Sequence, residues 1–131
     1  MIRGKKTILI CGSRTNFNEE LAEKYLVEVI TANKEESFIH GGAVGVDTMA
    51  DNIMQKILGD GYYFDVRQYK PRYERYGKYA PLVRDEIMVD NATEVIALWN
   101  NESRGTKHTI DYAKLCNKPL TVYDVSKEAK Q

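Results

Sequence analysis

Two near-continuous apolar runs, Thr7-Ile8-Leu9-Ile10-Cys11 and Glu94-Val95-Ile96-Ala97-Leu98-Trp99, mark the strongest pattern in the chain. A strand covered by helices on both faces has no polar side, so these runs predict neighbouring central strands of a parallel sheet. Ser37-Phe38-Ile39-His40, Tyr63-Phe64-Asp65-Val66 and Leu120-Thr121-Val122-Tyr123 are shorter and suit flanking strands. Between them, apolar positions recur near every 3.6 residues: Leu21, Tyr25, Val29; Val46, Ala50, Ile53, Ile57; Val83, Ile87; and Thr106, Ile110, Ala113. Gly59 and Gly61 are expected to stop the second helix, and Asn117-Lys118-Pro119 the fourth. The order β-α-β-α-β-loop-α-β-α-β predicts a three-layer, doubly wound, Rossmann-like α/β domain. Right-handed crossovers give its five-stranded parallel sheet the order 3-2-1-4-5.

At 131 residues and 43% hydrophobic content, the chain is expected to form a single domain over 1–131, with its core in 7–123 and a solvated tail at 126–131. Nineteen Lys and Arg balance nineteen Asp and Glu, so no whole-molecule field draws in a polyanion, and a small ligand fits better. Cys11 and Cys116 lack C-x-x-C spacing and read as thiols in a reducing compartment. No apolar stretch approaches the ~20 residues that span a bilayer. The basic start Arg3-Gly4-Lys5-Lys6 leads only into a strand-like run, so a cytoplasmic location without a membrane partner is expected. His40 and His108 have no partners at metal-ligand spacing, and neither a metal nor a cofactor is expected.

The predicted strand order places a topological switch point between the first and fourth strands, where α/β sheets hold ligands. Three glycine-bearing turns converge there. Gly12-Ser13-Arg14 follows the first strand and offers a hydroxyl and a guanidinium. Gly41, Gly42, Ala43 and Gly45 let backbone approach a ligand, and Asp47 begins the next helix, where it can accept from sugar hydroxyls. Ser103, Gly105 and Thr106 open the last helix, where bare N–H groups and the helix dipole favour phosphate. Each turn also has a reading as a helix entry alone; their convergence on one crevice is what points to a nucleotide-derived ligand. The pattern is neither G-x-G-x-x-G nor a P-loop, because no Gly-Lys-Ser/Thr follows. Arg84, early in the third helical pattern, is a candidate phosphate clamp. The stretch from Arg67 to Tyr79, including Tyr76 and Lys78, interleaves bases with tyrosines and is expected to be a lid or wall. Its composition also suits a single-strand nucleic-acid groove.

In that order, Gly12-Ser13-Arg14, Gly41-Gly42-Ala43-x-Gly45-x-Asp47, Tyr76-Gly77-Lys78, Arg84-x-x-x-Met88, Ile96-Ala97-x-Trp99 and Ser103-x-Gly105-Thr106 resemble the SLOG superfamily. That Rossmann-like group includes the DNA-processing protein Smf/DprA, the lonely-guy phosphoribohydrolases and small YspA-like stand-alone proteins, the last looking most similar. The resemblance implies a nucleotide or nucleotide-derived ligand and a homo-oligomer. Lonely-guy enzymes cleave an N-glycosidic bond with an arginine and a glutamate. Arg84 and Met88 match the first motif, but Thr109 stands at the glutamate position. An oxocarbenium-like transition state calls for a carboxylate, so the expected role is a sensor, carrier or sequestering module. The alternatives are a phosphoribohydrolase or glycosyltransferase, with Arg84 catalytic, and single-stranded DNA binding of the Smf/DprA kind.

Overall fold

The computed structural model describes residues 5–58 and 65–129. Residues 59–64, which hold Gly59, Gly61, Tyr63 and Phe64, lie outside the described residues, as do the first four and last two of the chain. The elements are β1 (Thr7–Gly12), α1 (Glu19–Ala32), β2 (Ser37–His40), α2 (Val46–Leu58), β3 (Asp65–Gln68), α3 (Tyr73–Tyr76), a 3-10 turn (Gly77–Tyr79), α4 (Ala80–Asn91), β4 (Glu94–Trp99), α5 (Arg104–Leu115) and β5 (Leu120–Asp124). All strand pairs are parallel and the sheet order is β3-β2-β1-β4-β5, the doubly wound order expected from the pattern.

Alternate side chains of the central strands serve opposite layers, as the period-2 geometry of a strand requires. Ile8, Ile10, Ile96 and Leu98 pack with Phe38 against α1 and α2. Leu9, Cys11, Val95 and Ala97 pack against Met88, Val89 and Ala92 at α4, and Ile110 and Ala113 of α5. β1 and β4 are paired from Ile8↔Glu94 to Gly12↔Leu98, so their apolar runs do occupy the middle of the sheet. Asn18 caps α1 through Oδ1, accepting the Leu21 N–H at 3.1 Å, and Glu19 and Glu20 complement the dipole of the first turn. Among the described residues, no helix is long and apolar enough to cross a membrane.

Three expectations need correction. Among the described residues the third strand runs over Asp65–Gln68, two residues past the Val66 at which the pattern ended it, and the following segment forms the short helix α3 instead of a plain loop. In α4 the buried positions are Ala80, Asp85, Met88 and Val89, while Val83 and Ile87 are half-buried. Two apolar residues could not fix the face of that helix. The tail does not begin at Ser126 either, because Val125 is fully buried in the core and Ser126 is itself buried. The Val125 N–H donates to Trp99 O at 2.9 Å, which extends the sheet's grip past residue 123.

Gly12 sets the distance between β1, β4 and α2. A Cβ there would stand 2.5 Å from the Leu98 carbonyl oxygen and 2.7 Å from Val46 Cγ2. The backbone oxygen cannot swing aside, so Gly12→Ala should cost about 1–3 kcal/mol. A urea denaturation curve will show this as a lower midpoint at unchanged slope.

Candidate functional site

At the carboxyl ends of β1 and β4 the chain departs to opposite faces of the sheet, which leaves a crevice at the switch point. Its volume is about 160 Å³, and its lining includes Gly12, Arg14, Gly41, Ala43, Asp47, Arg84, Ser103, Gly105 and Thr106. Cys11, Pro81, Leu82, Asp85, Met88 and Thr109 complete it. The three glycine turns therefore meet at one place.

Ser13, expected from sequence to offer its hydroxyl to a ligand, is fully buried with that hydroxyl bonded to protein, and it lies outside the crevice lining. Its N–H donates to Leu98 O at 3.0 Å, and its carbonyl accepts from Val46 N at 3.1 Å. Its Oγ accepts the Asn100 N–H at 2.9 Å and lies 2.8 Å from Ser103 Oγ, which donates to Asn100 Oδ1 at 3.1 Å. Because the amide oxygen can only accept, the hydroxyl protons run in one direction around this ring, from Ser13 to Ser103 to Asn100. Asn100 Oδ1 also accepts from the N–H groups of Glu102 and Ser103, both at 2.9 Å.

This ring has a consequence for α5. Ser103 holds the N-cap position, yet its side chain makes no cap hydrogen bond, since its hydroxyl is turned inward. Among the described groups, none accepts from the N–H of Arg104, Gly105 or Thr106. Those amides and the positive end of the dipole are left open. Gly105 is exposed, and a Cβ built on it meets nothing within 4 Å, so there is free space beside them.

Across the crevice, Gly45 holds φ +87°, and a Cβ there would lie 2.5 Å from the Ser13 and Arg14 carbonyl oxygens. Gly45 thus permits the packing of one turn on another and does not line the crevice; neither does Gly42, whose φ is +71°. Tyr76 and Lys78 also lie outside the lining, on the α3 segment, where Lys78 sits over the Tyr79 ring. Arg84 is mostly committed to protein. Its Nε donates to Asp85 Oδ1 at 2.7 Å, and Nη1 donates to Gly41 O at 3.0 Å and Tyr69 O at 3.3 Å. A ligand can meet only its Nη2 edge. Arg14, by contrast, is exposed, and among the described residues no group accepts a hydrogen bond from its guanidinium.

Burial pushes the Asp47 carboxyl up to about 6, opposed by the Ala43 N–H, nearby His40 and Arg84, and the Gly41 N–H. Oδ2 accepts the Ala43 N–H at 3.1 Å, so Asp47 braces the glycine turn as well as facing the crevice. Burial also raises Asp85, against the pull of Arg84, and holds the Cys11 thiol far above its ordinary value. Thr109, at the position where a lonely-guy enzyme carries glutamate, is buried, donates to Gly105 O at 3.2 Å and lines the crevice beside Asp85. The carboxylate nearest that position therefore comes from α4. Sequence reasoning passed over Asn100, although an Asn directly after a central strand at a switch point is a signal for such a brace.

His40 accepts the Gly42 N–H on Nδ1 at 3.0 Å, and His108 pairs with Glu86 at 2.8 Å. Among the described residues, no cluster of three or more His, Cys, Asp or Glu could hold a metal ion.

No family model matches the chain, and no curated protein matches it. Among solved structures, the chain is similar to DNA processing protein A from Helicobacter pylori, described for its single-stranded DNA binding mode. The TM-score is 0.66 at 16% identity, over 96% of this chain and 68% of that one. A likeness at that identity establishes the shared Rossmann-like fold.

A buried acid whose pKa is raised in the folded state binds a proton that the unfolded chain has already released between about pH 4 and 6. Its stabilising contribution is present below pH 4 and lost as pH rises through 6. Asp47→Asn removes that titration. The variant should gain on wild type by roughly 1–3 kcal/mol between pH 4 and 7.5 in urea unfolding. An unchanged difference across that range would show that Asp47 ionises freely.

Proposed function

We propose that the crevice binds the phosphate and sugar of a nucleotide, and that the domain acts as a binding module. The open N-terminus of α5 carries this reading: its first three backbone amides have no acceptor among the described groups, because the Ser103 hydroxyl is held inward, and there is space beside Gly105. A phosphate there gains charge-assisted hydrogen bonds and about half a positive charge from the helix dipole. Arg14, uncommitted and on the crevice wall, supplies a further cation. Asp47 stands opposite, placed to accept from a sugar hydroxyl. The committed guanidinium of Arg84 fits a bracing role better than that of a catalytic group.

A second reading takes the nucleotide as part of single-stranded DNA. It is favoured by the α3 segment, which buries no residue and exposes Tyr73 and Tyr79 at 59% each among Lys70, Arg72, Arg75 and Lys78. Exposed rings offer bases a stacking surface, and the cations offer phosphates partners. Pro81 and Leu82 carry this segment to the edge of the crevice. The similarity to a single-stranded DNA-binding protein supports this source of the nucleotide over a free one.

Incubation with nucleoside monophosphates and a thymidine oligonucleotide, followed by mass spectrometry of retained and filtered fractions, tests both readings. Gly105→Asp places a carboxylate on the open amides, where it complements the dipole and keeps α5 folded. It should reduce nucleotide retention at least tenfold; full retention in the folded variant removes the placement. Oligonucleotide affinity that falls steeply with salt and depends on Tyr73 and Tyr79 supports the single strand. Free base in the filtrate would instead identify glycosidic cleavage.

A further inference from the structure

The crevice, at about 160 Å³, is roughly half the size at which small-molecule sites usually begin, about 300 Å³. A nucleotide held there must extend beyond it. Arg14 shows where, because the same residue borders a second hollow of about 570 Å³ over the loop between β1 and α1. Thr15, Asn16, Asn18, Glu19, Glu20 and Lys127 line that hollow together with Arg14 and Phe17.

The floor of the hollow is fixed by the group that shapes the crevice. Asn100, buried below, donates from Nδ2 to Thr15 O at 3.0 Å and Asn16 O at 3.1 Å, while its Oδ1 belongs to the ring around Ser13. Asn16 takes a left-handed φ of 55° and donates to Glu102 Oε2 at 2.9 Å, which ties the β1–α1 loop to the one before α5. Both depressions are therefore preformed parts of one surface.

Their chemistry differs. The crevice presents open amides to a phosphate. The hollow has the exposed carboxylates of Glu19 and Glu20, which repel a second phosphate but accept from sugar hydroxyls and base amino groups. Thr15, Asn16 and Lys127 add donors. Between the two stands a guanidinium that no described protein group engages.

We propose that the hollow is a second subsite and that the ligand is two sugar–base units joined through phosphate. One unit places its sugar and phosphate in the crevice, the linking phosphate meets Arg14, and the uncharged part of the other unit lies over the β1–α1 loop. The first unit rests on the crevice reading above. A pyrophosphate-linked dinucleotide and a 3′,5′-linked step of a single strand share this chemistry.

Calorimetric titration of wild type, Thr15→Trp and Gly105→Asp with the mononucleotide, the pyrophosphate-linked dinucleotide and the 3′,5′-linked dinucleotide, in adenine and guanine series, tests the proposal. Thr15 is exposed, and among the described residues its side chain makes no hydrogen bond, so an indole there fills the hollow without disturbing the loop. At least one dinucleotide should bind wild type tenfold or more tightly than the mononucleotide. Thr15→Trp should erase that gain and leave mononucleotide affinity unchanged. The linkage that shows the gain identifies the source. Equal affinities on wild type, a gain that survives Thr15→Trp, or no binding at all would overturn the second subsite. A gain that Thr15→Trp removes but Gly105→Asp leaves intact would keep the hollow and refute the crevice.

Discussion

The hydrogen-bonded ring of Ser13, Asn100 and Ser103 holds the switch point together. At the ends of β1 and β4 the backbone turns to opposite layers, and the polar groups released there are buried where water cannot satisfy them. Ser13 meets this demand for several elements at once. Its backbone joins β4 and the start of α2, and its hydroxyl joins the loop before α5. Among the described residues, no buried side-chain polar atom is left without a partner, so the ring is fully satisfied. Its cost to the fold is an uncapped helix, because a hydroxyl that serves the ring cannot serve α5. The open amides at the start of α5 are thus a by-product of how the sheet is closed.

Electrostatics support the same division of labour. The chain is neutral overall, and its crevice mixes Arg14 and Arg84 with Asp47 and Asp85. Two of these four are spoken for by each other, since Arg84 and Asp85 pair at 2.7 Å. Asp47 is desolvated enough to carry only part of its charge near pH 6. Among the described residues that line the crevice, Arg14 and the first amides of α5 are the donors without a protein acceptor. Burial also raises the Cys11 thiol, which disfavours its thiolate, and its side chain packs in the core at the crevice wall.

Much of this was legible in the chain because it is written in local patterns. The continuous apolar runs of β1 and β4 can only be satisfied at the centre of a covered sheet, and the strand order followed from that placement. The convergence of Gly12, Gly41 and Gly105 followed from the order in turn. What escaped was direction. A serine after a strand looks the same whether its hydroxyl faces a ligand or the interior, and Ser13 faces the interior. Gly42 and Gly45 take positive φ and lie outside the crevice lining, a distinction that composition cannot carry. The face of α4 depended on Asp85 being buried there, which the two apolar positions Val83 and Ile87 could not reveal. α3 is one turn long, too short for any periodicity to reveal.

The most direct measurement of the central claim is a two-dimensional amide NMR titration of the wild-type protein with a nucleoside monophosphate. If the open end of α5 holds the phosphate, the N–H resonances of Gly105 and Thr106 should move most, accompanied by those of the Gly41-to-Ala43 turn. Shifts confined to the Tyr73–Tyr79 segment, or none at all at millimolar nucleotide, would contradict the account.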